Sequence, residues 1–400
     1  MNEFGSLLVI ATISAFVPLL VGLLRIKVAE VVVLLGCGVV FGPELLGLIQ
    51  VDDSIELLSE LGLGMLFFLA GLELEAIAVK GQSGRLAAIG WGSSLVLAGL
   101  CAVLLEGAGV VKDGLGVTIA LTSTALGTLL PVLRDNHELG TRFGRFFMGA
   151  GAWGEFGPIL AISVLLSTKS SFVALLSLVG FAVLAMILAW LPARLAGDRV
   201  RSVLERGNHS SSQTALRFTM LLLIALLALA GRFGLDVVLG AFVAGIIVRR
   251  FSPPHEESQL QVKVEAIAFG FLIPLFFVVS GANLDIISIV ENPGRLVLFF
   301  VLLLVVRGLP QYFIYRSALP DTRQRARFAL LVATGLPIIV AVTSLEVGAG
   351  VMDPRNAAAL VGAGALSVLV FPLLGNSLVR GRSAGHPIDA GDQERAENTA

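Results

Sequence analysis

Long apolar runs separated by short polar connections make up most of the chain between residues 5 and 379. A helix needs about 20 such residues to cross ~30 Å of hydrocarbon. The pattern predicts an all-α integral membrane protein with about 13 transmembrane helices, within these limits: 5–24, 28–49, 55–79, 84–106, 113–133, 139–167, 171–193, 213–231, 235–248, 264–282, 294–315, 328–346 and 356–379.

Composition agrees with this interpretation. The sequence is 56% hydrophobic and 14% charged, with a mean hydropathy of +0.91, whereas an ordinary soluble domain is about 25% charged. The net charge of -1 indicates no basic surface for nucleic acid. Cys37 and Cys101 lie in apolar runs and fit neither a disulfide framework nor a metal motif. We expect no enzyme activity, no cofactor and no nucleic-acid partner.

Lysine and arginine residues indicate how the chain is oriented. With the N-terminus outside, 21 of the 28 fall in inner loops and the tail, and five fall in outer loops. Cytoplasmic loops carry the excess of positive charge in membrane proteins. We therefore expect the N-terminus outside and the C-terminus in the cytoplasm, in a bacterial-type inner membrane. The polar residues 380–400 predict a disordered cytoplasmic tail.

The order of the spans suggests an internal repeat within one membrane transporter domain, residues 1–379. A basic linker at 194–212 follows the seventh span, so that 171–193 would be a linker helix between two six-helix halves. Two such halves separated by one helix have opposite orientations. This is the arrangement of an inverted repeat, which is common in secondary transporters.

Two charged residues lie deep within apolar runs. Glu155 is in "GAGAWGEFGPILAIS", and Arg307 is in "VLLLVVRGLPQYF". A charge at a helix centre costs about 2.5–3.5 kcal/mol on insertion scales, so it usually faces water or a partner. We interpret Glu155 as an ion or proton site and Arg307 as its charge partner. The alternatives for Glu155 are a protonated side chain hydrogen-bonded across a helix interface, or a misplaced span that puts the residue near a membrane edge. The alternative for Arg307 is a side chain that snorkels to the inner surface.

Two stretches have the composition of broken helices. They are "ALTSTALGTLLPVLRD", with Thr122, Ser123, Thr124, Gly127 and Pro131, and "LLVATGLPIIVAVTSL", with Thr334, Gly335 and Pro337. They fall in the fifth span of each predicted half. Carbonyls and hydroxyls freed at such breaks can coordinate a cation, although the same residues also serve ordinary helix packing in membranes. The remaining acids near the ends of spans are interpreted as interfacial: Glu60, Glu73, Glu75, Glu265 and Glu346.

Several stretches resemble one known family. Residues 234–286, together with "FFLAGLELE" and "ALTSTALGTLLPVL", are similar to the cation:proton antiporter-2 family, which includes Kef-type potassium efflux antiporters and bacterial sodium/proton antiporters. The resemblance implies a homodimer with two broken helices that cross near the ion site. It implies a dimerisation part at 5–79 and 213–282, and an ion-carrying core at 84–167 and 294–379.

The resemblance also implies the function and its residues. It implies exchange of a monovalent cation, sodium or potassium, for protons across the lipid bilayer by alternating access, with no metal beyond the transported cation. The family's ion-binding aspartate falls on Glu155, its neighbouring hydroxyls fall on Thr122 and Ser123, and its buried base falls on Arg307. Members usually carry Asp, Asn or Gln before that aspartate, where this chain has Gly154. Two alternatives stay open: a transport-inactive sensor or subunit, and a transporter of an organic or anionic substrate.

Overall fold

A computed structural model describes the chain as a bundle of helices. It describes residues 3–23, 29–73, 81–112, 114–135, 137–165, 177, 179–185, 187, 213–251 and 254–378. The named helices are α1 (Glu3–Leu23), α2 (Glu30–Phe41), α3 (Asp53–Glu73), α4 (Gly81–Gly107), α5 (Gly114–Leu121), α6 (Leu126–Asp135), α7 (Arg142–Leu165), α8 (Thr214–Phe233), α9 (Val237–Phe251), α10 (Pro254–Ile267), α11 (Ile273–Ala282), α12 (Ile286–Glu291), α13 (Pro293–Leu302), α14 (Leu309–Ile314), α15 (Thr322–Val332), α16 (Pro337–Gly348) and α17 (Pro354–Ser377). Two π-helical turns lie at Ala268–Leu272 and Leu303–Gly308.

The predicted all-α class is confirmed, because these ranges contain no strand. Among the described residues, eight helices are long and apolar enough to cross a membrane. The predicted spans 28–49 and 235–248 correspond to the shorter helices α2 and α9, of 12 and 15 residues. Most of the predicted linker helix and the predicted tail lie outside the described residues, so the number thirteen and the orientation stay predictions.

Both predicted broken helices are present. The chain leaves helical geometry between α5 and α6, at 122–125, and again between α15 and α16, at 333–336. In the first break, the hydroxyls of Thr122 and Ser123 donate to carbonyls of the last turn of α5, at 2.8 Å each. Hydroxyls that bond to nearby carbonyls offer the backbone an alternative to continuing the helix.

The residues of the second break act differently. Gly335 lies inside the break, and Pro337 is the first residue of α16, where proline loses nothing because its missing N–H would have no helical partner. The prediction for the first break was wrong in two residues. Gly127 and Pro131 both lie within α6, after the break, because the hydroxyl run ends α5 earlier than a proline signal suggests.

The two breaks cross and bond to each other. The backbone N–H of Ala125 donates to Thr334 O at 2.7 Å, and the Thr124 hydroxyl donates to Val332 O at 2.7 Å. Buried backbone groups need partners, and each break provides some of the partners that the other has lost. The crossing therefore holds two segments together that are more than 200 residues apart in sequence.

The helices pack in two main groups. In the first, α2 and α3 pack against α9 and α11; in the second, α4, α5 and α7 pack with α13 to α17. A Cβ on Gly71 would overlap the Phe242 carbonyl, and one on Gly245 would overlap the Phe68 carbonyl, so α3 and α9 approach backbone to backbone. The groups comprise helices of the predicted dimerisation and ion-carrying parts, and that division of roles stays a prediction.

Candidate ion site

Glu155 lies in α7, and its carboxylate reaches the beginning of α6. Glu155 Oε1 accepts hydrogen bonds from the N–H groups of Leu126, at 3.0 Å, and Gly127, at 3.4 Å. These are the first two residues of α6. The first N–H groups of a helix have no partner within it, and the positive end of the helix dipole favours an anion. Glu155 therefore caps the helix that begins at the break, and its side chain is half-buried there.

The predicted hydroxyl residues divide into two kinds. Thr122 and Ser123 are buried, and their hydroxyls are bonded within the last turn of α5. Thr124 instead connects three elements: its N–H donates to Gly154 O of α7 at 3.0 Å, and its hydroxyl donates to Val332 O at the end of α15. Of the three, Thr124 is the one whose side chain bonds outside its own half.

Arg307 lies in the π-helical turn Leu303–Gly308 and is fully buried, with 0% of its surface exposed. Its Nε donates to Thr124 Oγ1 at 3.0 Å, and its Nη2 donates to Ala150 O at 2.9 Å. The guanidinium therefore does not snorkel to a surface. Since Thr124 also bonds Val332 O, the cation lies close to the negative, C-terminal end of α15, which favours positive charge. π-helical turns often occur at functional sites.

The predicted direct pairing of Glu155 with Arg307 is corrected. In the described part of the chain, these two side chains form no ion pair with each other, and each bonds a different part of segment 124–127. The carboxylate is satisfied by the N-terminal end of α6. Two of the three guanidinium nitrogens donate, one to the Ala150 carbonyl within α7 and one to the Thr124 hydroxyl. A helix end thus supplies the opposite charge that Glu155 was expected to find in Arg307.

Gly154 leaves the space in which Arg307 is held. A Cβ at this position would lie 2.5 Å from the Thr124 Cβ and 2.7 Å from Arg307 Nη2, and closer still to the Thr124 hydroxyl. Real Cβ atoms are essentially never found closer than 3.0 Å to another heavy atom. A larger side chain at position 154, such as the Asp, Asn or Gln that the resemblance predicts there, would therefore collide with Thr124 and Arg307 in this structure.

The second break has its own polar contact, which the sequence did not indicate. Ser367 of α17 accepts a hydrogen bond from the Gly335 N–H at 3.1 Å, and its hydroxyl lies 2.7 Å from Gly364 O. Ser367 is fully buried. One serine in an apolar membrane helix is an ordinary packing residue, so no local signal distinguishes it.

Two further charged residues were missed. Glu346, predicted to be interfacial, is buried, with 3% exposed, and its carboxylate lies against Gly116 of α5. Arg327, which directly precedes the predicted span 328–346, lies in α15 and forms a bidentate ion pair with Glu138, at 2.6 and 2.8 Å. Both contacts join segments far apart in sequence. In the described residues there is no group of three or more His, Cys, Asp or Glu side chains suited to a metal ion.

This arrangement surrounds one acid with helix ends of opposite sign. The beginning of α6 faces Glu155, whereas the ends of α5 and α15 reach the same crossing with carbonyls that the hydroxyls of Thr122, Ser123 and Thr124 bond. A carboxylate with carbonyl and hydroxyl oxygens near it has the chemistry that hard cations prefer, and the carboxylate can equally take a proton.

Comparison with known proteins agrees with this geometry. Residues 9–380 match the family described as "Sodium/hydrogen exchanger, transmembrane". The chain is 27% identical over 383 residues to KefC of Escherichia coli O81 (strain ED1a), a glutathione-regulated potassium-efflux system protein, covering 92% of this chain and 59% of KefC. It is 24% identical over 390 residues to YjbQ of Bacillus subtilis (strain 168), named as a candidate Na(+)/H(+) antiporter, covering 93% of this chain and 62% of YjbQ. The chain spans about three fifths of the length of these relatives.

Solved structures show the same fold. The sodium proton antiporter MjNhaP1 from Methanocaldococcus jannaschii at pH 8 superposes with a TM-score of 0.62, covering 94% of this chain and 97% of MjNhaP1, at 17% identity. A second MjNhaP1 structure, from an electron microscopy map, gives a TM-score of 0.66 at 16% identity. The predicted antiporter-like fold is confirmed. The chain belongs to the transmembrane sodium/hydrogen exchanger family, a family of multi-pass cation:proton antiporters, as its resemblance predicted.

Proposed function

We propose that this protein exchanges a monovalent cation, sodium or potassium, for protons. The observation that carries the proposal is the position of Glu155, whose carboxylate lies half-buried at the crossing of the two broken helices and caps α6. A carboxylate binds either a proton or a cation, and the two compete for the same oxygens. Competition at one site couples the two fluxes without a second site.

The neighbours of Glu155 support a cation in preference to an organic anion. Arg307, the residue that would attract an anion, is fully buried, and two of its nitrogens already bond Thr124 and Ala150. Carbonyls of the crossing and the hydroxyls of Thr122 and Ser123 would complete the coordination of a dehydrated cation.

The movement that carries the ion would divide the two helix groups. In our proposal, the group with α4 to α7 and α13 to α17 carries Glu155 across by alternating access, and the group with α2, α3, α9 and α11 forms the homodimer. At their contact, Phe156 of α7 stacks on Phe242 of α9, with ring centroids 5.6 Å apart. Apolar contacts of this kind are non-directional, which suits surfaces that slide. We place the protein in a bacterial-type inner membrane with the C-terminus in the cytoplasm.

The test is exchange in proteoliposomes carrying a pH gradient, screened with lithium, sodium, potassium and rubidium. The parent protein should dissipate the gradient with at least one cation, and Glu155→Gln should not, since it keeps the shape and removes the titrating charge. Glu155→Asp should keep part of the activity. Glu60→Gln, at an exposed glutamate of α3, is the control and should transport normally. A folded parent that exchanges no cation would favour the inactive sensor or subunit. Full activity in Glu155→Gln would overturn the site.

We further propose that the exchange is electroneutral. Position 154 carries no acid, and Arg307 keeps its proton at any physiological pH, so in this proposal Glu155 alone exchanges its ion, although Glu73 of α3 lies close enough for its charge to act on Glu155. Glu155 is neutral with either ion bound. A membrane potential, worth roughly 2.3 kcal/mol per charge per 100 mV, should therefore not move the exchange equilibrium. Sustained proton uptake that an inside-negative potential drives, and that reverses with the potential, would require a second titrating group.

A further inference from the structure

Three buried polar side chains follow one another along the helix that contains Arg307. Arg307, Gln311 and Tyr315 are spaced four residues apart, and each has 0% of its surface exposed. Residues four apart lie on the same face of a helix. The row begins in the π-helical turn at Arg307 and ends at Tyr315, which directly follows α14. It therefore leads away from the crossing, through the interior of the helix group that holds Glu155.

Every member of this row has polar atoms without a protein partner. They are Arg307 Nη1, Gln311 Oε1 and Nε2, and the Tyr315 hydroxyl, in the part of the chain that the structure describes. Buried polar groups almost always have a hydrogen-bond partner, and where protein supplies none, ordered water does. Three successive buried side chains on one helix face, each with polar atoms that lack a hydrogen-bond partner, are not expected in a core without water.

The neighbouring helix α4 packs directly against the centre of the row, and two further unpartnered donors lie in α4 and α7. Gly90 of α4 lies across from Gln311, and a Cβ there would be 2.6 Å from Gln311 Nε2. Next to it, the indole N–H of Trp91 is buried without a partner in the described structure, and so is that of Trp153 in α7. The two indole rings are neighbours, with centroids 6.2 Å apart.

We propose that the row Arg307–Gln311–Tyr315 binds a chain of ordered water molecules inside the ion-carrying helix group. Water fits the chemistry of the row better than an ion does. An anion would suit the donors of Arg307 and the indoles, but it would leave Gln311 Oε1, an acceptor, unsatisfied. A cation would be repelled by the guanidinium. Water donates and accepts, so it can satisfy all these atoms.

The water chain gives Arg307 the hydration that its third nitrogen lacks. It also connects the guanidinium, behind the ion site, with the Tyr315 end of the helix, which the charge distribution predicts to be the inner end. If the proposed exchange is correct, this chain keeps Arg307 charged and in place while Glu155 changes its ion. That role rests on the proposed function, whereas the presence of water does not.

Radiolytic footprinting tests for the water directly, because hydroxyl radicals formed from bound water label the side chains next to it even when these are buried. The chain has two tyrosines, Tyr312 and Tyr315. We expect Tyr315 to be oxidised within threefold of the rate of the half-buried Tyr312. Phe328, equally buried and 4.4 Å from the Tyr315 ring, should be oxidised at least tenfold more slowly. Labelling of Tyr315 as slow as that of Phe328 would overturn the proposal.

Two variants test whether the row binds water as a unit. Gln311→Leu removes the central polar group. Gly90→Ala forces that amide to move without removing a polar atom, because an added Cβ would overlap Gln311 Oε1; both variants should lower Tyr315 labelling at least fivefold. Thr343→Val is the control, because that buried hydroxyl bonds carbonyls of its own helix, and it should change nothing. Gly90→Ala answers the question even where Gln311→Leu fails to fold. Unchanged labelling in the folded variants would refute a shared water chain. None of these measurements needs transport, so their failure is separable from a failure of cation exchange.

Discussion

Gly154→Ala should destabilise the protein, although alanine is the better helix former. Replacing a helical glycine with alanine gains up to about 1 kcal/mol in propensity. Here, the added methyl would lie 2.5 Å from the Thr124 Cβ and 2.7 Å from Arg307 Nη2. Thr124 cannot retreat easily, because its N–H bonds Gly154 O and its hydroxyl bonds Val332 O.

The size of the effect follows from what must move. Overpacking a filled site costs about 1–3 kcal/mol. Displacing Arg307 from the Thr124 hydroxyl, a hydrogen bond of 3.0 Å, costs about 1.5–3 kcal/mol, as is usual for bonds to charged groups. After the gain in propensity, we expect a net loss of about 1.5–5 kcal/mol in the free energy of unfolding.

Thermal unfolding in detergent at one fixed scan rate measures this loss as a lower apparent Tm. The matched control is Gly99→Ala in α4, where an added Cβ would meet nothing within 4 Å. That variant should unfold at the parent temperature or slightly above it. Equal apparent Tm values for Gly154→Ala and Gly99→Ala would show that Gly154 is not needed for the Thr124–Arg307 contact.

Three further predictions concern other polar residues of this helix group. Ser367→Ala leaves the buried Gly335 N–H without its partner and should cost about 1–3 kcal/mol in the same unfolding assay. The control Ser377→Ala, at the exposed end of the same helix, should cost less than about 0.5 kcal/mol. Equal losses in the two variants would contradict the contact between Ser367 and Gly335. Glu138→Gln breaks the bidentate pair with Arg327, whose side chain is 4% exposed, and should cost about 3 kcal/mol. In the double variant Glu138→Gln/Arg327→Gln, the loss of stability should be smaller than the sum of the two single losses, which is the expected sign of coupling. For Glu155→Ala and Arg307→Ala, which do not touch, the losses should add to within about 1 kcal/mol, and a coupling of about 2 kcal/mol or more would show that the two side chains meet.

The positions of the breaks and of the central acid could be predicted because their signals are local. A carboxylate in a long apolar run is costly wherever the chain folds, so Glu155 stood out. A hydroxyl run ends a helix through bonds to its own preceding turn, as Thr122 and Ser123 do. Pro131 misled the prediction, since a proline within a helix and a proline at its beginning look alike in sequence.

The partners of these residues could not be predicted, because they come from distant segments. Thr124 bonds a carbonyl 208 positions away, and Arg307 bonds a hydroxyl 183 positions away. Glu346 was expected at an interface because it lies near the end of its span, but α5 buries it. Opposite charges alone suggested pairing Glu155 with Arg307. Hydropathy carries no information on the partners that they have instead, which are the beginning of α6 for Glu155, and the Thr124 hydroxyl and a carbonyl within α7 for Arg307.

The two broken helices differ in the chemistry that meets them, and in our proposal this difference leaves one charge at the crossing that can change. Each half directs the beginning of a helix at the crossing. In the first half, Glu155 binds the first N–H groups of α6; in the second, the hydroxyl of Ser367 takes the Gly335 N–H just before α16. A hydroxyl stays neutral, whereas a carboxylate can exchange its ion. Two acids in equivalent places would repel each other and would bind two ions. In our proposal, an inverted repeat with an acid in one half and a hydroxyl in the other retains the symmetric scaffold and one exchangeable site, which is what exchange of one cation for one proton needs.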